Sequence, residues 1–434
     1  MAAKRDLVEA QSFSRRRLLT AFVSGAPGGQ ELEPAKPMRG VVSGVMLAVL
    51  VVIGSLAWGA IQKDPAGWES NRLIVVKGEG TRYVSLAGVL HPVVNTTSAR
   101  LAVESGQFGV VELAPGVIAD TERGATIGIV GAPDAPPAAS SLVTDGWTVC
   151  VAGSDVSASV GVEVPTEPGG AVVARSGGAT FVVTGGLRYR VPQDESAVLR
   201  AVGLDTAQPV DVPAAWLNLV PEGSDLVRLA VDGAGDRVPA GSPLQDLSVG
   251  ALVRVAGTGT ADRWYVVDSE GELASLTTFA VGLYQAQSEA VTLTLADIGD
   301  AATTGALAPA DWPEQPVTAA ASTGTPCVVL TPGDEGGVEL VSTAEAPPAG
   351  VRVAPGGGAL VLARSQGSGA GVHALVDETG RRFGMPSVDG GDDDVLTRLG
   401  YTAQDVTVVP PAWVELFEPG PDLTVDAART TVTS

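Results

Sequence analysis

Histidine and cysteine are almost missing from this chain, with two of each in 434 residues. His91 and His373 stand in unrelated contexts. They offer no zinc-ligand spacing and argue against a Ser-His-Asp set. No G-x-x-x-x-G-K-[ST] phosphate loop and no G-x-S-x-G elbow occurs. The glycines at 78–80, 161 and 369 stand in strand–turn contexts, and none leads into a helix bearing lysine and a hydroxyl. Aromatic residues are few (7 Trp, 5 Tyr, 7 Phe), too few to line a glycan groove once repeat cores are filled. Lys and Arg (27) are outnumbered by Asp and Glu (49) for a net charge of −22, which excludes nucleic acid as a partner. The one dense acidic run, DGGDDD (Asp389–Asp394), lacks the alternation and distal glutamate of a helix–loop–helix calcium site, so it reads as a solvent-facing loop and metal ligands are not expected.

Set against these absences is one long apolar run, VVSGVMLAVLVVIGSLAWGAI (Val41–Ile61), without a charge or a proline. At about 1.5 Å per residue, a helix of that length crosses a hydrocarbon core roughly 30 Å thick. Residues 1–40 balance at +3 and residues 62–434 at −25. Lys36, Arg39 and the Arg15–Arg17 triplet therefore favour a cytoplasmic N-terminus. A cleaved signal peptide fits less well, because the run starts 40 residues in and no A-x-A site follows. The expected topology is a single-pass protein of the plasma (inner) membrane with an extracytoplasmic C-terminal body. Within the basic tail, the apolar residues Leu7, Val8, Phe13, Leu18, Leu19, Phe22 and Val23 mark an amphipathic helix. Such a helix lies on an anionic membrane surface or packs on a cytosolic partner protein.

Cys150 (GWTVCVAG) and Cys327 (GTPCVVLTPG) both follow the span in short apolar runs of strand character. An even pair in an oxidising space reads as one disulfide, closing a loop of nearly 180 residues. The rest of the outer portion is β-branched runs of four to seven residues punctuated by Gly and Pro, a strand-and-turn composition. Self-comparison resolves it further. GGAVVARSGGATFVVTGGLRYRVP (Gly169–Pro192) closing with VDVPAAWLNLVPEGSDL (Val210–Leu226) parallels GGALVLARSQGSGAGVHALVDETGRRFGMP (Gly357–Pro386) closing with VTVVPPAWVELFEPGPDL (Val406–Leu423). Weaker copies start at Arg72 and Gly250, the latter with PADWPEQ (Pro309–Gln315) as a degenerate P-A-W element. Trp216 and Trp413 are the expected core plugs of the two clearer repeats.

The expected organisation is a β-rich α+β chain: a cytosolic basic tail (1–40), a transmembrane helix (41–61) and repeat 1 (62–121). The first part of a central domain (122–168), repeat 2 (169–248) and repeat 3 (249–316) come next. The second part of the central domain (317–356) precedes repeat 4 with a C-terminal tail (357–434). Pairing of the two cysteine segments makes an elongated body of four degenerate repeats around a disulfide-linked centre, with pseudo-twofold symmetry.

Three stretches in order resemble the EccB family, the single-span core component of the type VII (ESX) secretion membrane complex. A family pattern Q-V-x4-F-x-x-R-R-x-x-x-A-L is matched by Val8, Phe13, Arg16, Arg17, Ala21 and Phe22, with Leu7 in place of the glutamine. VVKGEGTRYVSLAGVLHPVVNTTSARL (Val75–Leu101) resembles T-G-x-R-Y-v…LhPvlNyaSArL, departing at Glu79-Gly80 and Thr96-Thr97. ERGATIGIVGAPDAPP with Trp147 and Cys150 resembles R-G…v-G-I-x-G-A-P-D-x-l-P…W-x-v-C. The resemblance implies a structural core subunit that links cytosolic motor and channel parts to periplasmic domains for protein export. Implied partners are a channel-forming multi-span subunit, an accessory membrane subunit, an FtsK/SpoIIIE-type ATPase, a mycosin protease and further copies of itself. Phe13, Arg16 and Arg17 are then expected to touch the cytosolic partner. The alternative implied by the resemblance is an ATP-hydrolysing component with a nucleotide site in the outer domain. No cofactor is expected from the residues, ATP enters only through the resemblance, and no catalytic residue is assigned to it.

Overall fold

The computed structural model describes residues 4–24, 37–61 and 67–432, apart from 193, 257–261, 300, 322–323, 335, 366 and 387–391. The chain divides into two units, Met1–Ala66 and Gly67–Ser434.

The first unit contains two helices, Lys4–Ser24 and Pro37–Ile61. Side chains of the second are described for Met38 and from Gly40 to Ser55, and the expected span reaches beyond them to Ile61. Among the described residues no helix is long and apolar enough to cross a membrane.

The described residues of the second unit form five sheets. Four share one plan: three antiparallel strands, a short helix, then a strand that returns parallel to the first. In the first sheet Arg72–Val76, Arg82–Leu86 and Val89–Pro92 run antiparallel. The helix Thr96–Ala102 follows, and Gly109–Leu113 lies parallel to Arg72–Val76. The second has Val172–Ser176, Ala179–Thr184 and Leu187–Val191, the helix Glu195–Ala201 and the returning Val210–Asp211. The third has Leu252–Val255, Arg263–Val267, Leu273–Leu276, the helix Thr278–Leu283 and Val291–Leu293, with Thr303–Ala306 added beyond its third strand. The fourth has Ala359–Ala363, Val372–Val376, Arg381–Met385, the helix Asp392–Leu399 and Thr407–Val409, with Glu418–Pro419 added likewise. The short helices are capped by their own sequence: Asn95 accepts the Ser98 N–H at 2.8 Å and Thr277 the Ala280 N–H at 3.1 Å. Within DGGDDD, residues 389–391 and the side chains of 392–394 lie outside the described residues.

The fifth sheet is drawn from two distant stretches. Its order is Gly350–Val353, Asp155–Val160, Trp147–Ala152, Thr325–Leu330, Val338–Thr343, Glu167–Pro168. The strands of 147–168 and those of 325–353 take matching places either side of the middle. The match fails at the rims, where 350–353 pairs parallel and 167–168 antiparallel.

The period-two alternation of strands explains how these sheets stack. In the second sheet Val172, Ala174 and Val183 point into a core shared with the central sheet. Val173 and Val182 point the other way, into a core shared with the third sheet. In the fourth sheet Ala359, Val361, Ala374 and Val376 face the central sheet, while Leu360 and Leu375 face the first sheet. Sheets two and four are thus buried on both faces, and their first two strands are largely apolar, while Leu187–Val191 and Arg381–Met385 carry two arginines each. Sheets one and three each keep a small separate core on their far face, around Ile74, Val76 and Leu90 and around Val253, Val255 and Val267.

Candidate functional site

The features singled out from sequence are a helix of the first unit and, in the second unit, a disulfide and a tryptophan pair. In the helix Lys4–Ser24, a rotation of 100° per residue puts Leu7, Val8, Leu18, Leu19, Phe22 and Val23 on one arc, with Arg15 in its middle. Phe13 falls on the opposite side, between Arg16 and Arg17 at i+3 and i+4. Grouping Phe13 with the apolar stripe is therefore corrected: the helix has one aliphatic face and one face built of an aromatic flanked by two cations. All these apolar side chains are exposed, Phe13 to 51%.

The second feature is the disulfide. Cys150 and Cys327 are direct neighbours in the register of Trp147–Ala152 and Thr325–Leu330, with Cα atoms 3.9 Å apart and a disulfide bond between them. Alternation turns both sulfurs away from Trp147, Val149 and Val151. Both cysteines are buried, in a small core with Val341 against which Val164 and Val329 pack.

The third is the pair Trp216 and Trp413, on the short helices Ala214–Leu217 and Pro411–Val414. Both are fully buried, but they do more than fill the repeat that carries them. The Trp216 Nε1–H donates to the Val149 carbonyl in the central sheet at 3.2 Å, and the Trp413 Nε1–H donates to the Leu219 carbonyl of the other P-A-W segment at 3.1 Å. Trp147 meets Phe417 edge-on at 5.8 Å in the same core. The helices of sheets two and four pack on the faces opposite these tryptophans.

PADWPEQ keeps part of the P-A-W plan: the Trp312 N–H donates to the Pro309 carbonyl at 3.2 Å, as Trp216 does to Pro213 and Trp413 to Pro410, and its Nε1–H donates to the Ser224 carbonyl at 3.3 Å. The segment's backbone receives the helix start at Thr277–Phe279: Thr277 Oγ1 donates to the Pro313 carbonyl, and the Phe279 N–H to that of Glu314. In the first sheet, Thr97 Oγ1 donates to Pro133 and the Thr96 N–H to Asp134, in the GAPDAPP stretch. Trp312 also packs edge-on against Phe279.

Side chains that the sequence did not mark join the outer sheets to the inner ones. At the end of the helix Thr96–Ala102, Arg398 donates to the Leu101 and Val103 carbonyls, Arg429 to the Ala102 carbonyl at 2.8 and 3.0 Å, and Arg100 to the Leu399 carbonyl at 3.0 Å. Cations suit the negative end of a helix and its unpaired carbonyls. Desolvation holds the Arg100 guanidinium below its ordinary pKa, with Tyr401 acting the other way. Tyr401 donates to the Pro137 carbonyl at 2.7 Å and Tyr189 to that of Asp311 at 2.5 Å. Burial raises both phenols, Tyr189 to about 12 with help from the Asp311 charge. Only a search for carbonyl-capping donors could have found these, since arginine and tyrosine at such spacings carry no pattern.

His91 is a backbone-tied histidine, its Nδ1 3.0 Å from the Ala125 carbonyl oxygen. Among the described residues no group of three His, Cys, Asp or Glu could hold a metal ion. Clefts among the described residues line the central sheet. One, of about 350 Å³, has the Arg364–Asp334 ion pair between two glycine-rich turns, and another, of about 580 Å³, lies between 163–167 and 342–348.

These features define a modular body whose sheets are joined through shared cores and carbonyl-capping contacts. Residues 1–433 match the family described as type VII secretion system ESX-1, transport TM domain B, and the chain belongs to this EccB family. It is 27% identical over 266 residues to "ESX-1 secretion system ATPase EccB1" of Mycobacterium tuberculosis (strain ATCC 25618 / H37Rv), covering 58% of this chain and 54% of that one. Against "ESX-3 secretion system ATPase EccB3" of Mycolicibacterium smegmatis the identity is 26% over 438 residues, covering 89% and 82%. The chain thus spans about half the length of the M. tuberculosis EccB1 it matches. In fold it is similar to a chain of the intact ESX-5 inner membrane complex (TM-score 0.66, 22% identity, 100% of this chain and 96% of that one). It is likewise similar to the EccB3 dimer from the ESX-3 core complex (TM-score 0.67, 24% identity, 82% and 99%).

Proposed function

We propose that this chain is a structural core subunit of a type VII secretion membrane complex, acting as a scaffold between a cytosolic assembly and the far side of the membrane. The observation that carries the reading is the match of the family over residues 1–433, together with a body in which buried Trp216, Trp413, Tyr189 and Tyr401 donate to carbonyls of other segments. In this reading the helix Pro37–Ile61 crosses the plasma membrane once, supported by the uncharged stretch Val41–Ile61 and the basic residues before it. The helix Lys4–Ser24 stays in the cytoplasm and offers Phe13, Arg16 and Arg17 to a cytosolic partner, such as a motor ATPase or a channel subunit. The four sheets of common plan are degenerate repeats. They are set about the central sheet with approximate twofold symmetry, outside the membrane, where copies of the chain also meet each other.

Deleting residues 1–23 tests the cytosolic contact. The shortened chain is expected to reach the membrane and form its disulfide but to lose co-purification with cytosolic subunits. Co-purification at the full-length level removes the tail from the reading. The relatives named ATPase supply the competing reading of a nucleotide site in the outer body. Calorimetry with ATP on protein free of contaminating ATPases is expected to show no saturable heat, and a stoichiometric isotherm replaces the scaffold reading with the enzymatic one.

A further inference from the structure

In three of the four sheets of common plan, the strand after the helix is two or three residues long: Val210–Asp211, Val291–Leu293 and Thr407–Val409. The last of these is also crossed by a hydrogen bond from the Gly333 N–H to the Val408 carbonyl. The first sheet differs. Gly109–Leu113 has five residues, lies at the end of the sheet order, and has no strand or bridge on its outer side among the described residues. It contains no proline, lysine or bulge, and Glu112 is its one charged residue. The opposite edge, Val89–Pro92, is covered by bridges from Leu90 to Arg123 and from Val93 to Ile127.

The direction of the free groups follows from the inner pairing. The Lys77 N–H donates to the Leu113 carbonyl at 2.9 Å, so Leu113, Val111 and Gly109 address the strand Arg72–Val76. The N–H and C=O of Val110 and Glu112 therefore point outward. Both residues are exposed, Val110 to 58%. The two outward residues sit symmetrically about Val111, which makes the edge self-complementary. An identical strand laid antiparallel about a twofold axis at Val111 pairs Val110 with the second copy's Glu112, and Glu112 with its Val110. That register satisfies all four outward groups on each strand, covers Val110, and keeps the two Glu112 carboxylates from facing each other. The register centred on Glu112 would oppose them.

We propose that Gly109–Leu113 is a self-association strand that joins the first sheets of two copies of this chain into one continuous sheet. The proposal rests on the self-association proposed above and names its surface. That a solved protein of the same fold is a dimer favours a second copy as the occupant over a foreign strand.

The test uses the full chain in detergent. At the twofold, Val111 faces Val111 of the second copy as a non-hydrogen-bonded pair, for which Cα atoms lie about 4.5 Å apart, within disulfide reach. Oxidised V111C is expected to run as a covalent dimer, while a cysteine at Gly109 (G109C) is not. V110P removes one outward donor per copy without touching the inner pairing, and is expected to weaken dimerisation about tenfold or more by native mass analysis, with an unchanged circular dichroism spectrum. A wild-type dimer that V110P leaves intact, with V111C uncrosslinked, overturns the strand while self-association stands. A wild-type monomer overturns both. Should V110P fail to fold, the V111C and G109C pair decides alone.

Discussion

Trp216 and Trp413 show how far a single residue can be read from sequence. A tryptophan after a proline, on a short helix next to apolar strands, is legible as buried. Which surface it is buried against is not, because the first two strands of sheets two and four place apolar residues on both faces and alternation there marks neither side as inner. The indole N–H reaching Val149 makes Trp216 a joint to the central sheet. Trp216→Ala or Trp413→Ala is therefore expected to cost about 3–5 kcal/mol, with each variant also leaving a buried carbonyl short of a donor. Urea titration of either variant checks this. A change under about 1 kcal/mol would mean that the core closes around the gap. The tyrosines carry a pH dependence. Tyr189 ionises near its ordinary 10 when unfolded and at about 12 when folded. Its stabilising contribution is thus complete below pH 10 and disappears as pH rises toward 12. Melting temperatures of the wild type should fall across that interval. Y189F should start lower, having lost the bond to Asp311, and fall less steeply.

At the scale of elements, the strands and turns of the four sheets were legible because Gly and Pro punctuate β-branched runs, whereas the helix starts are fixed by the Asn95 and Thr277 caps, which were not read from sequence. Nor was the register between elements legible. PADWPEQ shares the turn and the donating indole of the P-A-W element, but its carbonyls also receive a helix N-terminus, a role set by backbone direction and invisible in composition. Likewise Phe13 looks like part of an aliphatic stripe until the helix is turned residue by residue. The arginine cluster on Thr96–Ala102 belongs to the same class: Arg398 and Arg429 come from nearly 300 and more than 320 residues downstream of the carbonyls they cap. Arg429→Ala is expected to cost about 1–3 kcal/mol, since charged donors to a helix end are lost while the Ala102 carbonyl stays part-buried. Arg429→Lys should recover only part of it, a single ammonium being unable to reproduce the two-pronged contact. Equal stabilities for the alanine and lysine variants would show that the contact is solvated and slight. A close approach on the other side, where Gly282 meets the Ala201 carbonyl, leaves no room for a side chain, and G282V is expected to part the helices of sheets two and three.

For the whole molecule, the central sheet is where two stretches separated by more than 150 residues become neighbours, and the disulfide lies in its middle rather than at a rim. Strand pairing by itself aligns 147–152 with 325–330 over four register pairs, and apolar side chains on one face bury against sheets two and four. The bond is therefore not needed to define the fold. Its contribution lies in the unfolded chain, where it closes a loop of 177 residues. The usual stabilisation from such a bond is about 2–5 kcal/mol. C150A/C327A is accordingly expected to keep its circular dichroism spectrum while its urea midpoint drops by an amount in that range. The burial of both sulfurs adds a kinetic consequence. Exposure of the bond requires the cover from 161 to 167 to lift Val164, or the sheet to open, so dithiothreitol should reduce the native protein far more slowly than the protein in urea. Thiol alkylation with time, at several urea concentrations, would show the rate climbing with denaturant as opening becomes frequent. A rate independent of denaturant and equal to that of an exposed disulfide would mean that the central sheet breathes freely, and the shared core around Trp147 could then not be the rigid centre from which the other sheets are hung.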